Sequence, residues 1–565
     1  MQKFSKCLSQ YQAGDYKAVI STLQPPADQG RLKDSMLAAL LAQSCYKLDQ
    51  IEKAAKYYAL AGSAGPKQLD FLQISLTLFK KLNLVEEGFA VARKILRLNP
   101  HHYDAALFYR YHLHYLLLMG ELKTYNELSL KALEAGDAFA ASIDLLLNHV
   151  SWCADEAINQ RITAMQTAAP YDPLKRAERR ARDHTYSDRI RVGYLSNDFS
   201  DFHATMMLLQ GVLHQHDTEK FDINLFCYTP ESLRAADNLF RGSAAGLIDI
   251  NGLSDLDAAE LIRSFELDIL VDLKGHTNEA RIALVNMGLA PIQVAYLGFP
   301  GSATGIDVEY VISDAIVTPD TSRPFYHEKL CRLPESYQPN DSSRPLPAPT
   351  ARNELGLPHD KIVLASFNHI RKISVETFEA WTRILKALPD SILWMYCESS
   401  LARKNFLKAL ADVGISGNRI IFASHAAQQE HLARLQAADI GLDTFPYNGH
   451  TTTSDKLWVG LPVVTKQGSH FASRVSESLL RALDMPELVA EDENDYVQTC
   501  IELPRDPVRL AAVREKLVKR RFEAPLFNTA RYTRHLEKAY ELMVDRAKAG
   551  MAPDHIDVPK RPSGA

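Results

Sequence analysis

Residues 443–465, DTFPYNGHTTTSDKLWVGLPVVT, gather side chains suited to holding an anion. An apolar run closes at Thr444, a turn follows with Pro446, Asn448 and Gly449, and His450, Thr451, Thr452 and Thr453 then open a helical pattern. The first turn of a helix leaves backbone N–H groups unbonded and carries the positive end of the helix dipole, so a phosphate is a natural ligand there. Threonine hydroxyls add donors, and Asp455, one turn in, can accept hydrogen bonds from a sugar diol. The same residues also read as a threonine cap on an ordinary helix, and local physics leaves both readings open.

The elements that position this segment follow from a wider reading. At about 150 residues per domain, 565 residues correspond to three or four domains. Hydrophobic residues at 46% supply large cores, and 64 basic against 69 acidic residues leave a net charge of −5. That balance argues against a protein whose main task is coating nucleic acid or an anionic membrane. Seven scattered cysteines without a CxxC pair exclude a disulfide framework and a zinc-ribbon spacing, and fit a reducing compartment. No apolar run reaches the ~18 residues of a membrane helix, and the start of the chain lacks a secretory apolar region. The expectation is a cytoplasmic, soluble protein.

Residues 1–180 read as successive helices. DQIEKAAKYYALAG (49–62) and NLVEEGFAVARKIL (83–96) place Ile51 over Val85 and Ala54 over Gly88, 34 residues apart, as are Pro66 and Pro100. This period resembles the tetratricopeptide repeat, with an irregular helical bundle as the alternative. From Arg189, short β-type runs alternate with helical patterns such as LRAADNLFRG (233–242), which argues for a parallel sheet covered by helices. SYQPNDSSRPLPAPT (336–350) reads as a linker or long surface loop, after which strand–helix alternation restarts. The expected domains are a helical repeat domain and connector at 1–180, an α/β Rossmann-like domain at 189–345, a second at 355–549, and a flexible tail at 550–565. Ligands of such sheets sit beyond the carboxyl ends of the strands.

NGHTTTSDKLWVGLPVVT, followed by ASRVSESLL (472–480), is similar to the nucleotide-sugar motif of the O-linked N-acetylglucosamine transferase and SPINDLY family. RVGYLSNDF (191–199), DILVDLKGHT with APIQVAYLGFPGSATG (268–277 and 290–305) and RIIFASHAAQQEHL (419–432) agree with it in order and spacing, and the match spans roughly residues 189–545. The resemblance implies a GT-B fold behind tetratricopeptide repeats. It also implies inverting, metal-independent transfer of a sugar, GlcNAc from UDP-GlcNAc, to protein Ser/Thr hydroxyls, with no cofactor. The partners it implies are a nucleotide sugar and a polypeptide acceptor held by the repeats, with neither nucleic acid nor membrane. Alternatives are another donor, such as GDP-fucose as in SPINDLY or UDP-glucose, another acceptor, and a repeat scaffold with an inactive transferase domain.

By the same resemblance, Lys372 in SFNHIRKIS holds the diphosphate, and without a metal its charge is what meets the leaving group. Thr451 and Thr452 match phosphate-binding threonines, Asp455 a ribose-binding aspartate, and His450 a histidine near the donor sugar. His431 matches a histidine packed on the base, with Arg434 beside it; His369 stands for a family glutamine and Gln428 for a lysine. His203 in DFSDFHATMM matches a histidine facing sugar and acceptor that is discussed as a base, and a helix cap is the alternative. Asp268 aligns with a histidine and reads as a base, an orienter or a strand-end charge. His276 in KGHT is a further candidate at a strand's carboxyl end, and Gly301 gives the donor sugar close access to backbone. Asp255-Leu256-Asp257 spells a DxD metal motif but follows Ser254 at a helix start, where capping explains it, and Lys516, Lys519, Arg520 and Arg521 read as a solvated helix face.

Overall fold

The computed structural model describes residues 2–560 apart from 64, 66, 145, 146, 168, 202 and 235–245. It has two compact units, Met1–Leu116 and Leu117–Ala565. In the first, helices Ser35–Lys47 and Ile51–Ala61 form one pair, and Gln68–Lys81 and Val85–Leu98 the next. Asp49 and Asn83, in the turns inside the pairs, have left-handed φ of 57° and 55°, and Leu117 repeats this at 51°, a further 34 residues on. Asp and Asn tolerate that conformation better than other residues with a Cβ. Ala54 is fully buried, and a Cβ on Gly88 would come 2.9 Å from the Phe108 ring, so small side chains let neighbouring helices approach.

The second unit carries two sheets. The first contains β1 (Ile190–Ser196), β2 (Phe221–Cys227), β3 (Leu247–Asp249), β4 (Ile269–Asp272), β5 (Ile292–Ala295), β6 (Tyr310–Asp314) and β7 (Lys329–Leu333). The second contains β8 (Ile362–Ser366), β9 (Ser391–Tyr396), β10 (Ile420–Ala423), β11 (Ile440–Leu442), β12 (Val463–Lys466) and β13 (Val489–Ala490), and β14 (Ile556–Asp557) returns to the first sheet. The orders are β14-β7-β6-β5-β4-β1-β2-β3 and β10-β9-β8-β11-β12-β13, and the paired strands run parallel. Strands such as β4 and β5 are buried at every residue, as parallel strands covered on both faces must be. Each sheet changes direction beside its first strand, between β1 and β4 and between β8 and β11. Ligands of doubly wound sheets bind outside the carboxyl ends at these switch points.

Three boundaries differ from the sequence expectation. Helix Thr529–Lys548 does not complete the second sheet's domain: Tyr532, Leu536, Tyr540, Met543 and Val544 enter the core of the first sheet with Val192, Tyr194 and Val294. Amphipathic spacing shows that a helix has a buried face but not which sheet receives it. Nor is 550–565 simply a frayed tail, because Ile556 and Asp557 pair with Cys331 and Arg332 of β7 and Val558 is buried. The 336–350 segment is not a loose surface loop either. Tyr337, Gln338, Asn340, Asp341 and Arg344 are buried, and Gln338 Nε2 donates to Ser454 Oγ at 2.6 Å. Its prolines and polar residues mark irregular backbone, which here lies against the second sheet's helices. The helical reading of 233–242 falls almost wholly outside the described residues; Glu231–Arg234 is helical. Ser254 caps helix Asp255–Arg263 by accepting from Asp257 N, as the capping reading of the DxD sequence requires. Among the described residues no helix is long and apolar enough to cross a membrane.

Candidate active site

The end of β8 fans out into three consecutive positions. Phe367 turns toward helix Gln428–Leu435, where its ring meets His431 edge-on at 5.2 Å and Arg434 lies 4.8 Å above it. Arg434 donates through Nε and Nη2 to His431 Nδ1 at 3.2 and 3.1 Å, which leaves the His431 proton on Nε2. Burial and the neighbouring cations Arg434 and Lys456 lower the His431 pKa to about 3, so it is a neutral ring suited to stacking. Gln428 opens the same helix, half-buried.

Asn368 is buried and ties the strand ends together. Its amide donates to Asp443 Oδ1 at 3.2 Å and Thr444 Oγ1 at 2.9 Å, and its carbonyl accepts from Thr452 Oγ1. Asp443 also accepts from Gly449 N at 2.8 Å and Thr465 Oγ1 at 2.8 Å. This network fixes the turn that starts helix Thr451–Trp458 and aims its first amides beyond the carboxyl ends of β8 and β11.

His369 caps the short turn Ile370–Lys372, accepting from Arg371 N at 3.2 Å. The turn delivers Lys372 to the same place: its Nζ donates to Asn448 O at 2.7 Å and sits 3.7 Å from the Tyr447 ring centroid. Burial, opposed by Asp443 and reinforced by Lys456 and Arg371, lowers the Lys372 pKa to about 7. His450, beside Tyr447 at 5.1 Å, has Nε2 at 3.4 Å from Ala472 O. Burial and Lys372 push its pKa well below the usual value, so it is neutral. Lys372, His369, His450, Thr451 and Thr452 therefore converge, with His431 and Arg434 along the same strand ends. The arrangement offers an ammonium, helix amides and hydroxyls to a pyrophosphate, next to a neutral ring for a base.

Asp455 is buried, and Arg344 Nη1 reaches its Oδ1 at 3.0 Å. One of its roughly four accepting positions is thus taken by a residue whose sequence context reads as a linker.

On the first sheet, His203 caps helix Ala204–Gln215: Nδ1 accepts from Thr205 N at 3.3 Å, and Nε2 lies 3.4 Å from Asp198 Oδ1. A neutral imidazole bound this way keeps its proton on Nε2 facing the carboxylate, so neither nitrogen offers a free lone pair. This geometry matches the helix-cap alternative and supplies no general base until the Thr205 bond breaks. Asp198 is itself held by Lys274 Nζ at 2.8 Å. His276 is buried, bonded through Nε2 to Thr304 O at 2.9 Å and edge-on to Phe299 at 5.4 Å. Gly301 adjoins the same ring, with His149, His470 and Phe471 around a small cavity of about 20 Å³.

Asp268 is a correction. It precedes β4 at the amino end, opposite the switch point, and is fully buried. His184 Nε2 binds its Oδ1 at 2.7 Å, while Arg191 binds through its backbone N to Oδ2 at 2.7 Å and through Nη2 to Oδ1 at 3.0 Å. Burial alone would raise its pKa, but these bonds outweigh it and hold the carboxylate below its usual value. Asp268 is the structural strand-end charge. Asp268→Asn is therefore expected to cost about 3 kcal/mol of stability in urea unfolding, with turnover per folded molecule unchanged; a collapse of turnover at full stability would restore the catalytic reading.

Phe367, Asn368, Tyr447, Asp443, Lys456 and Arg344 were not singled out from sequence. Two signals were available: Phe367 and Asn368 directly follow one strand and Asp443 directly follows another, where ligands of such sheets bind.

The strand orders define a GT-B-like fold of two parallel sheets, with this cradle at the carboxyl ends of the second. Two segments, 160–348 and 347–536, match the model of Glycosyl transferase family 41, and the chain belongs to that family. It is 33% identical over 383 residues to the Arabidopsis thaliana protein named probable UDP-N-acetylglucosamine–peptide N-acetylglucosaminyltransferase SEC, covering 66% of this chain and 38% of that protein. It is 32% identical over 374 residues to the similarly named SPINDLY protein of Solanum lycopersicum, covering 64% of this chain and 39% of that one. The chain thus spans about two fifths of the length of these relatives. The solved structure of a lysine-to-methionine mutant of Thermobaculum terrenum O-GlcNAc transferase superposes with a TM-score of 0.71 at 25% identity, covering 95% of this chain and 99% of that one.

Proposed function

We propose that this protein is an inverting glycosyltransferase that moves GlcNAc from UDP-GlcNAc to Ser/Thr hydroxyls of proteins. The convergence of Lys372 with the start of helix Thr451–Trp458 carries the reading. The acceptor oxygen attacks C1 from the face opposite the diphosphate and gives up its hydroxyl proton to solvent; the C1–O bond to phosphate breaks with its electron pair, and UDP leaves with the added negative charge. Lys372, the helix amides and the Thr451 hydroxyl meet that charge, joined by the Thr452 hydroxyl when it exchanges its bond to Asn368 for a phosphate oxygen, so the reading needs no metal and no cofactor. His431, with Arg434 locking its tautomer, packs against the base. The helical repeats offer a polypeptide acceptor an extended surface. Seven buried cysteines, with no disulfide among the described residues, suit a reducing compartment, and we place the enzyme in the cytoplasm.

Incubation with labelled UDP-GlcNAc, UDP-glucose and GDP-fucose in host lysate, read by peptide mass spectrometry, tests the proposal. Label on Ser/Thr from UDP-GlcNAc is the expected result. Label from GDP-fucose alone would change the donor, and no label from any donor would favour an inactive scaffold.

A further inference from the structure

Lys456 is a lysine that the chemistry above does not use. It lies on the inner face of helix Thr451–Trp458, four residues after Thr452, and is fully buried. Among the described residues its Nζ has no hydrogen-bond partner. A buried ammonium without a bond is costly, so its retention calls for a physical reason.

Its surroundings supply one. The stem packs over Gly441 of β11, where an added Cβ would stand 3.0 Å from Lys456 Cδ. Strand periodicity puts Gly441 and Asp443 on the same face, so Asp443 lies further along that face, beyond the carboxyl end of β11. The Asp443 carboxylate is fully buried, and its hydrogen bonds come from neutral groups, Gly449 N, Asn368 Nδ2 and Thr465 Oγ1. The lysines in electrostatic reach of it are Lys372 and Lys456. Asp455, the other nearby carboxylate, already has Arg344. Two cations therefore face one uncompensated carboxylate. Without Lys456, Asp443 would offset the charge of Lys372, and the helix amides and hydroxyls would meet a pyrophosphate with a weaker cation behind them.

We propose that Lys456 is a positioning residue of the donor site, whose buried ammonium offsets Asp443 so that the charge of Lys372 stays available to the diphosphate. This rests on the donor reading above and adds a residue and a division of labour to it. Its recognition is for the pyrophosphate, whichever nucleoside carries it. The burial that lowers the Lys456 pKa to about 8 agrees with an ammonium kept at a solvation cost.

Calorimetric titration of UDP, GDP and uridine into wild type, Lys456→Met, Lys456→Gln, Lys456→Arg and Lys456→Met/Asp443→Asn tests it, with thermal melting in parallel. Losing the charge is expected to weaken binding of the preferred nucleoside diphosphate by about tenfold or more and of uridine by less than about twofold, while Tm holds or rises. Lys456→Arg keeps most of the affinity. Asp443→Asn can still bond Gly449, Asn368 and Thr465, and in the Lys456→Met background it recovers most of the loss, because the carboxylate to be offset is gone. Unchanged diphosphate affinity in both neutral variants overturns the proposal, as does an equal loss for diphosphate and uridine, or a double variant no better than the single one. If wild type binds neither UDP nor GDP, the donor reading fails first and takes this inference with it.

Discussion

Replacing Lys372 with methionine is expected to lower kcat/KM for sugar transfer by about a thousandfold, with thermal stability held or raised. The side chain is anchored by one backbone carbonyl and one ring, Asn448 O and Tyr447, and both contacts can be exchanged for a phosphate oxygen. Methionine keeps the packing and deletes the charge, so the loss reports electrostatics. The effect has a pH signature. In the donor-free enzyme Lys372 is charged below about pH 7 and loses its proton as pH rises through that value. A bound pyrophosphate favours the ammonium and lifts the pKa. From pH 7 up to the raised value, donor binding takes up a proton, and affinity falls with rising pH by up to about tenfold per unit. Calorimetry of UDP-GlcNAc in two buffers of different ionisation enthalpy measures that uptake. In the methionine variant the Lys372 contribution vanishes and the affinity profile flattens. A wild-type profile equally flat from pH 7 to 9 would remove Lys372 from the diphosphate.

What the sequence made legible follows from how local each feature is. The start of helix Thr451–Trp458 could be read because the turn, the threonines and the following apolar spacing are contiguous, and free amides at a helix start are a property of one turn of chain. The parallel sheets were legible from strand–helix alternation, although β3, β13 and β14 are two or three residues long and carry no readable period. Long-range pairing was not legible. Arg344 reaches Asp455 across 111 residues, and Tyr194 meets Tyr540 across 346. Nothing near either residue announces its partner. Asp268 is a different case. It opens an apolar run, so it stands at the amino end of a strand, while ligands gather at the other end; the position argued against catalysis before any contact was known. His203 was readable as a histidine after a strand, but its tautomer depends on the Thr205 amide and Asp198, which only the folded backbone brings together.

Gly449→Ala is expected to reduce transfer by about a hundredfold for a single added methyl group. An ideal Cβ on Gly449 would lie 2.4 Å from Thr453 Oγ1 and 2.7 Å from both Asn368 Oδ1 and Thr452 Oγ1. None of the three can easily turn aside. Thr453 is bonded to Ser476 Oγ at 3.0 Å, Thr452 is bonded to Asn368, and Asn368 is held by Asp443 and Thr444. The glycine backbone is pinned as well, its N–H on Asp443 and its carbonyl accepting from Ser476 Oγ at 3.0 Å. The strain must therefore move the helix start, and with it the amides and the Thr452 side chain of the proposed pyrophosphate site. Overpacking of this kind costs about 1–3 kcal/mol of stability, a modest fall in Tm beside a large fall in turnover. The ratio of the two is the informative quantity: a variant that melts early but transfers sugar normally when folded would show that this turn supports the fold without touching the donor.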